Sequence, residues 1–417
     1  MKKTIMRILC LALMSCAAAV AQSTETVLYS FAGMPDGSYP SGGLLFDAAG
    51  NIYGTTTLGG THCQGNAGCG TVYELSPALG GYIETVLYDF CTTDDPYTCP
   101  DGAQPWGGLV SDQAGNLYGT TSLGGHKYGT VFELSPPVGG GPWTETVLWE
   151  FGKAKGDGLG PYQGKLNWDA AGNLYGTTSA GGTKGRGTVF ELSPISGGGW
   201  SETILYSFSG PDGATPYYGV AIDAAGNLYG TTNGGGIKDS NSYCQDGCGT
   251  VFELTHLATG WTEQLLYRPT GAEGARPNSN ISIDSNGNLY GTLEYGGGAG
   301  CFAKAGCGGV FRLVPKAGGG GSKQTFLFDG QADHGGNPWA GVLVDGDVLF
   351  GTTYWGNNVY ELKGKTETVL YQFCSQPNCA DGSEPLAGTI VSEGGLLYGV
   401  TAQGGQANNG VVYSVTR

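Results

Sequence analysis

The chain has 417 residues, 80 of them glycine and 24 tyrosine, and 40% of it is apolar, so it is rich in turns yet holds enough hydrophobic material to build a core. Its formal charge of −16 argues against nucleic acid and anionic membrane surfaces, both of which need a basic footprint. Cations, sugars and proteins remain as partner classes.

The N-terminus carries Lys2, Lys3 and Arg7, an apolar run from Ile8 to Val20, and the small-residue site Ala19 to Ala21 ahead of Gln22. That order predicts a secretory signal over 1–21, too short for a stable membrane span, with a mature chain starting near Gln22. A second reading takes Leu13 to Cys16 as a lipoprotein site that anchors the protein through Cys16. No transmembrane segment is expected in the mature chain.

From residue 24 onward the sequence repeats. "GNLYGTT" stands at Gly115, Gly172 and Gly226, with close variants at Gly50 and Gly287. Aligned on its aromatic residue, the copies fall at Tyr53, Tyr118, Tyr175, Tyr229, Tyr290, Phe350 and Tyr398, which makes seven units. Each holds four short apolar runs, a to d, parted by Gly, Pro, Asn and Asp. In the second copy these begin at Gly107, Asn116, Gly129 and Thr144. The a-to-b link is a tight "DxxGN" hairpin at Asp47, Asp112, Asp169, Asp223 and Asp284, where Gly supplies positive φ and Asp bonds the turn.

Seven four-stranded units predict an all-β, seven-bladed β-propeller. The chain begins with a d run (24–31) and ends with a c run (410–416), so the first strand is expected to complete the last blade. The expected blades span about 43–90, 107–151, 164–208, 219–268, 280–328, 341–373 and 388–416 with 24–31, all within one propeller over 22–417. The motif tyrosine is expected to pack between sheets, as are Tyr82, Trp143, Trp200 and Trp261. The recurring d-strand acids, Glu25, Glu84, Glu145, Glu202, Glu263 and Glu367, read as edge charges that discourage sheet-to-sheet aggregation. A monomer is expected.

Outside the signal, ten cysteines form five close pairs: Cys63 with Cys69, Cys91 with Cys99, Cys244 with Cys248, Cys301 with Cys307, and Cys374 with Cys379. On an exported chain these read as disulfides. Zinc is the weaker reading, because C-x-x-C is missing and the histidines do not cluster with the cysteines, apart from His62 beside Cys63.

The pattern "GNLYGTTS.GG…GTVFELSP…WTETVLYSF" resembles the GloVer tandem repeat, named from Gloeobacter and Verrucomicrobia. The resemblance runs over 24–417 and implies an exported bacterial β-propeller, with no catalytic residues to transfer. Members often add a C-terminal sorting anchor; here the sequence stops at Arg417 on a c run, so covalent surface sorting is not expected.

The b-to-c and d-to-a links share one face of a propeller, and they carry the long inserts and all five cysteine pairs. That face is the expected recognition surface. A recurring acidic-Gly-x-x-Pro pattern, at Asp36, Asp101, Asp157, Asp212, Glu273 and Asp381 with a longer version at Asp333, reads as a turn signal, with a cation site as the alternative. The residue after that proline is Ser41, Trp106, Tyr162, Tyr217, Asn278, Trp339 or Leu386. The aromatic four, Trp106, Tyr162, Tyr217 and Trp339, are the candidate binding residues, suited to sugar rings or apolar groups. The rival reading has them pack on each other as a plug.

Catalytic residues, a resident metal and a cofactor are not expected. The leading functional expectation is a secreted recognition module for a glycan or protein. One alternative is a metal-assisted polysaccharide lyase or hydrolase, drawing on His62, His126 and His334, since His256 lies in a c-to-d link and Glu294 and Tyr295 break the fifth repeat. Another is a structural surface or matrix protein.

Overall fold

The heptad owes its recurrence to hydrogen bonding as well as packing. In the computed structural model, which describes residues 23–63, 67–93, 95–239, 242–297, 301, 305–315, 321–328, 335–386 and 391–417, each "DxxGN" turn is closed by its own aspartate. Asp112 Oδ1 accepts the backbone N–H of Ala114 and Asn116, and Oδ2 accepts Asn116 Nδ2 at 2.8 Å and the Tyr118 hydroxyl at 3.1 Å. The Tyr–Asp bond is 3.1 Å at Asp47, Asp169, Asp223 and Asp284 too. Burial pushes the Asp112 carboxyl up, but the bonds from Asn116, Tyr118 and Ala114 outweigh it and hold the group below the ordinary aspartate range. The sixth and seventh units lack this triad and turn more tightly, pairing Asp345 with Val348 and Glu393 with Leu396.

The rest of the heptad locks the blade. A Cβ on Gly119 would sit 2.6 Å from the Phe132 ring, and one on Gly230 2.5 Å from Phe252, so glycine lets the strand c aromatic lie flat against strand b. The first threonine of "GTT" reaches the next blade: Thr55 Oγ1 donates to Gly107 O (2.9 Å), Thr177 to Tyr218 O (2.8 Å) and Thr231 to Ser279 O (2.8 Å). The second threonine bonds strand c, as in Thr121 with Thr130 at 2.8 Å. These hydroxyls are buried, and each such bond contributes about 1 kcal/mol net.

Seven antiparallel sheets of four principal strands result. In the second blade strand a is Val110–Ser111, b is Leu117–Thr121, c is Thr130–Ser135 and d is Thr144–Glu150, paired in that order. The ring closes as expected: Glu25–Ser30 is the outer strand of the last sheet, paired from Glu25 opposite Val415 to Ser30 opposite Val411 with one bulge between Val27 and Tyr29. The far end of strand b also pairs with the d-to-a link, through Gly37–Pro40, Gly158–Leu159 and Ala275–Pro277 and through bridges such as Ala103 with Leu123. Among the described residues no helix is long and apolar enough to cross a membrane.

Hydrophobic clusters lie between neighbouring blades. Tyr53 of the first blade packs with Leu109, Leu117 and Phe132 of the second, and Trp143 covers it at 6.5 Å between ring centroids. Trp261 meets Tyr175 in the same way, and Trp200 packs on Trp168, which meets Tyr118 edge-on. In the sixth blade Lys365 takes the place of the tryptophan. A cleft of about 810 Å³ opens there, lined by Tyr290, Arg312, Phe326, Val344 and Leu349 with Lys365.

The d-strand glutamates depart from expectation. Their side chains turn inward rather than guarding an edge, and one carboxyl oxygen of each of Glu25, Glu84, Glu145, Glu202 and Glu263 is buried with no hydrogen-bond partner among the described residues. Burial, then the charge of the aspartate in the preceding d-to-a link, pushes Glu25, Glu84 and Glu263 up to about 7 and Glu145 and Glu202 to about 8. The link aspartates fill the turn role. Asp36 accepts bonds from the Tyr29 hydroxyl and the backbone N–H of Ala32, and Asp101 from the Tyr88 hydroxyl and Cys91 N. Asp333 lies outside the described residues, as do the 1–21 segment and Cys16.

Candidate functional site

The loop-rich face is built on a backbone device that the sequence reading missed. In all seven blades the residue before the link proline is left-handed: Tyr39 (φ 59°), Gln104 (57°), Gly160 (63°), Thr215 (56°), Arg276 (51°), Asn337 (59°) and Glu384 (57°). Six of the seven are not glycine, and each such residue costs about 1–3 kcal/mol of strain. The conformation is held from both sides. Each N–H donates to the b-to-c loop of the preceding blade, for example Gln104 to Cys69 O (2.7 Å), Arg276 to Cys248 O (2.7 Å) and Asn337 to Cys307 O (2.6 Å). The carbonyls of Gln104, Thr215, Asn337 and Glu384 accept from the end of their own strand b, at Ser122, Asn233, Tyr354 and Ala402.

The disulfides explain themselves in this frame. All five expected pairs are bonded. Three of them, Cys63–Cys69, Cys244–Cys248 and Cys301–Cys307, fix the carbonyl that holds the left-handed residue of the next blade. They staple the loop-rich face, not the sheets.

The aromatic candidates follow the proline and stand half-buried at the channel mouth. Trp106 stacks on Tyr162 with centroids 4.9 Å apart and an interplanar angle of 26°, and Tyr162 meets Tyr217 at 5.1 Å. Tyr39 extends this run, edge-on to Trp106 at 5.8 Å. Trp339 does not join it. It stacks on Tyr354 at 5.4 Å, which in turn meets the exposed Trp355, and the tie to the other side is a hydrogen bond from the Tyr218 hydroxyl to Trp339 O. Tyr39, Tyr354 and Trp355 escaped the sequence reading because they sit two residues off the aligned column, before the proline, or in a short b-to-c loop.

Below the mouth, strands a enclose a channel cavity of about 370 Å³, into which Lys165 brings the one charged side chain among the described lining residues; burial pushes its ammonium down. Between the two aromatic groups lies a polar sector. Glu294 is 3% exposed and faces Trp339, Tyr295, Arg276 and Asn233; burial pushes its carboxyl up. Arg276 lies over the Tyr295 ring at 5.4 Å and donates from Nε to Tyr243 O at 2.9 Å.

Among the described residues the histidines join no metal-ligand cluster. His126 is exposed and 3.8 Å from Glu150, His256 stacks on Trp261 at the end of strand c, and His334 lies outside the described residues. Among the described residues the one group of three or more side chains with metal-ligand geometry is Cys63, Cys69, Cys91 and Cys99, all in disulfides.

Fold and face together define a seven-bladed β-propeller with a stapled, aromatic-lined mouth. The chain belongs to the Gloeobacter/Verrucomicrobia repeat family, whose model matches residues 16–162 and 128–321. No curated protein matches it. Among solved structures, a nidogen/laminin complex shares 16% identity over 72% of this chain and 89% of that chain, with a TM-score of 0.41. A protein from Lactobacillus plantarum shares 13% over 80% and 84% (TM-score 0.49), and a luciferin-regenerating enzyme 11% over 95% and 95% (TM-score 0.40). Likenesses at this level say nothing about the chemistry of the mouth.

Proposed function

We propose that the protein is an exported recognition module whose loop-rich face binds a glycan at the channel mouth. The observation that carries this reading is the half-buried run Tyr39–Trp106–Tyr162–Tyr217, a set of ring faces and edges on a backbone pinned in every blade. Aromatic surface held this way suits the apolar faces of pyranose rings, which gain burial and stacking without ordering new side chains. Five disulfides suit an extracytoplasmic compartment, with 1–21 removed before Gln22. Mass spectrometry of the mature N-terminus separates this from lipidation at Cys16.

The test is calorimetric titration with neutral β-1,4-linked hexasaccharides of glucose, xylose, mannose and N-acetylglucosamine. Trp106→Ala should weaken binding at least tenfold with an unchanged melting temperature, and Trp339→Ala should do the same for any ligand that reaches the second aromatic group. A wild-type protein that binds none of the four, nor any glycan on a broad array, sinks the reading.

A further inference from the structure

The ring of post-proline residues is aromatic at Trp106, Tyr162, Tyr217 and Trp339 but polar at Asn278, which falls between Tyr217 and Trp339 in blade order. Three observations converge there. Glu294 stands where the other b strands carry small, neutral or aromatic residues, is 3% exposed, and is faced by the Arg276 guanidinium. Asn278 and Asn337 are 4% and 2% exposed, yet the Oδ1 of each has no hydrogen-bond partner among the described residues. Asn337 donates from its amide nitrogen to Glu294 O at 2.9 Å and lies against Tyr295. Finally, Arg276 and Asn337 are two of the strained left-handed residues, and the carbonyls that hold them belong to disulfide cysteines.

A buried amide oxygen without a partner costs about 1–3 kcal/mol, and two of them beside a buried carboxyl are seldom kept for stability alone. They are acceptors that await donors. Arg276 is a donor in the same sector, so a matching ligand must both give and accept hydrogen bonds at neighbouring atoms. Vicinal hydroxyls do this; an isolated ammonium, carboxylate or alkyl group does not. Tyr217 ties the sector to the aromatic run, since it meets Tyr162 at 5.1 Å and stands next to Asn278 in the ring of post-proline residues.

We infer that Glu294, Asn278, Asn337 and Arg276 form a polar subsite for the vicinal hydroxyls of one pyranose ring, placed at the Tyr217 end of the aromatic run. The inference rests on the glycan reading above and adds to it a direction: one sugar is held by its edge in the fourth-to-sixth blades, and the chain extends over Tyr162 and Trp106. Glu294 accepts from one hydroxyl, Asn278 Oδ1 accepts from its neighbour, and Arg276 donates back to a hydroxyl oxygen. Discrimination at such a site is steep, because a sugar lacking a hydroxyl leaves the buried acceptors unpaired again.

The experiment uses the same four hexasaccharides against wild type, Glu294→Gln, Asn278→Ala and Trp106→Ala, each with a melting curve. Glu294→Gln is nearly isosteric, and Asn278→Ala removes an unpaired acceptor, so both should fold. Expected are losses of affinity of tenfold or more in both variants, together with a comparable loss when the best hexasaccharide is replaced by its form lacking one terminal ring hydroxyl. If both variants bind like wild type while Trp106→Ala loses binding, the subsite is overturned and the glycan reading stands. If wild type binds none of the probes, both are overturned.

Discussion

The two faces of the disc obey opposite rules. On the a-to-b side, five of seven turns repeat one Asp–Asn–Tyr hydrogen-bonded unit, with the Tyr–Asp bond at 3.1 Å in each. On the other side the backbone is as regular, left-handed at every pre-proline residue, but the side chains it presents are Tyr39, Gln104, Gly160, Thr215, Arg276, Asn337 and Glu384. One face repeats both chemistry and conformation, and the other repeats conformation alone. That division fits the recognition role proposed above: strain is absorbed by fixed hydrogen bonds, and residue identity varies at the pre-proline positions.

The contrast can be broken by removing what holds each part. Deletion of 24–31 takes away the outer strand of the last sheet and leaves Val411–Thr416 as an open edge, so it should give the largest effect, with loss of the cooperative melt in calorimetry. Gly230→Val is expected next, since its side chain would run into the Phe252 ring; a destabilisation of about 3 kcal/mol by urea titration is the expected outcome. Reduction of the disulfides should act mainly on the loop face. Hydrogen exchange at Gln104, Arg276 and Asn337 should rise, while strand c amides stay protected. Lys365→Trp should fill the cleft beside Tyr290 and raise stability by about 1 kcal/mol, the smallest effect of the set.

Proton linkage gives a further check. The inward glutamates have folded pKa values raised from 4.5 to about 7 or 8, so the folded state binds more protons than the unfolded one in that window. Their contribution is fully present below about pH 4.5 and is lost as pH rises to about 8. The turn aspartates, held below their usual range despite burial, act in the opposite sense and lose their contribution as the solution becomes strongly acid. The melting temperature should therefore peak near pH ~4, where both contributions are present, and fall on both sides. Glu145→Gln should flatten the alkaline limb, which a melting series over pH 5–9 would reveal.

The fold was legible because its signals are local and repeated. The glycine after Tyr118, the threonine pair and the "DxxGN" turn each encode one contact, and seven copies make the period plain. The closing strand could be read from the phase of the first and last runs. What escaped was set by geometry that no single residue announces. The left-handed pre-proline positions carry six residue types other than glycine, so no composition marks them. The d-strand glutamates look like surface residues in an alternating strand, and their inward turn becomes visible only when the neighbouring link aspartate is in place. Trp106, Tyr162 and Tyr217 were found by column alignment, whereas Tyr39 and Tyr354 reach the mouth from other columns.

The most direct test of the recognition account is a crystal of the wild-type protein soaked in the best-binding hexasaccharide. The account predicts a pyranose ring lying against the exposed ring surface of Trp106 or Tyr162, with the sugar at the Tyr217 end inside hydrogen-bond distance of Glu294. Saccharide bound on the a-to-b face, or no saccharide in contact with Trp106 or Tyr162, would contradict that prediction.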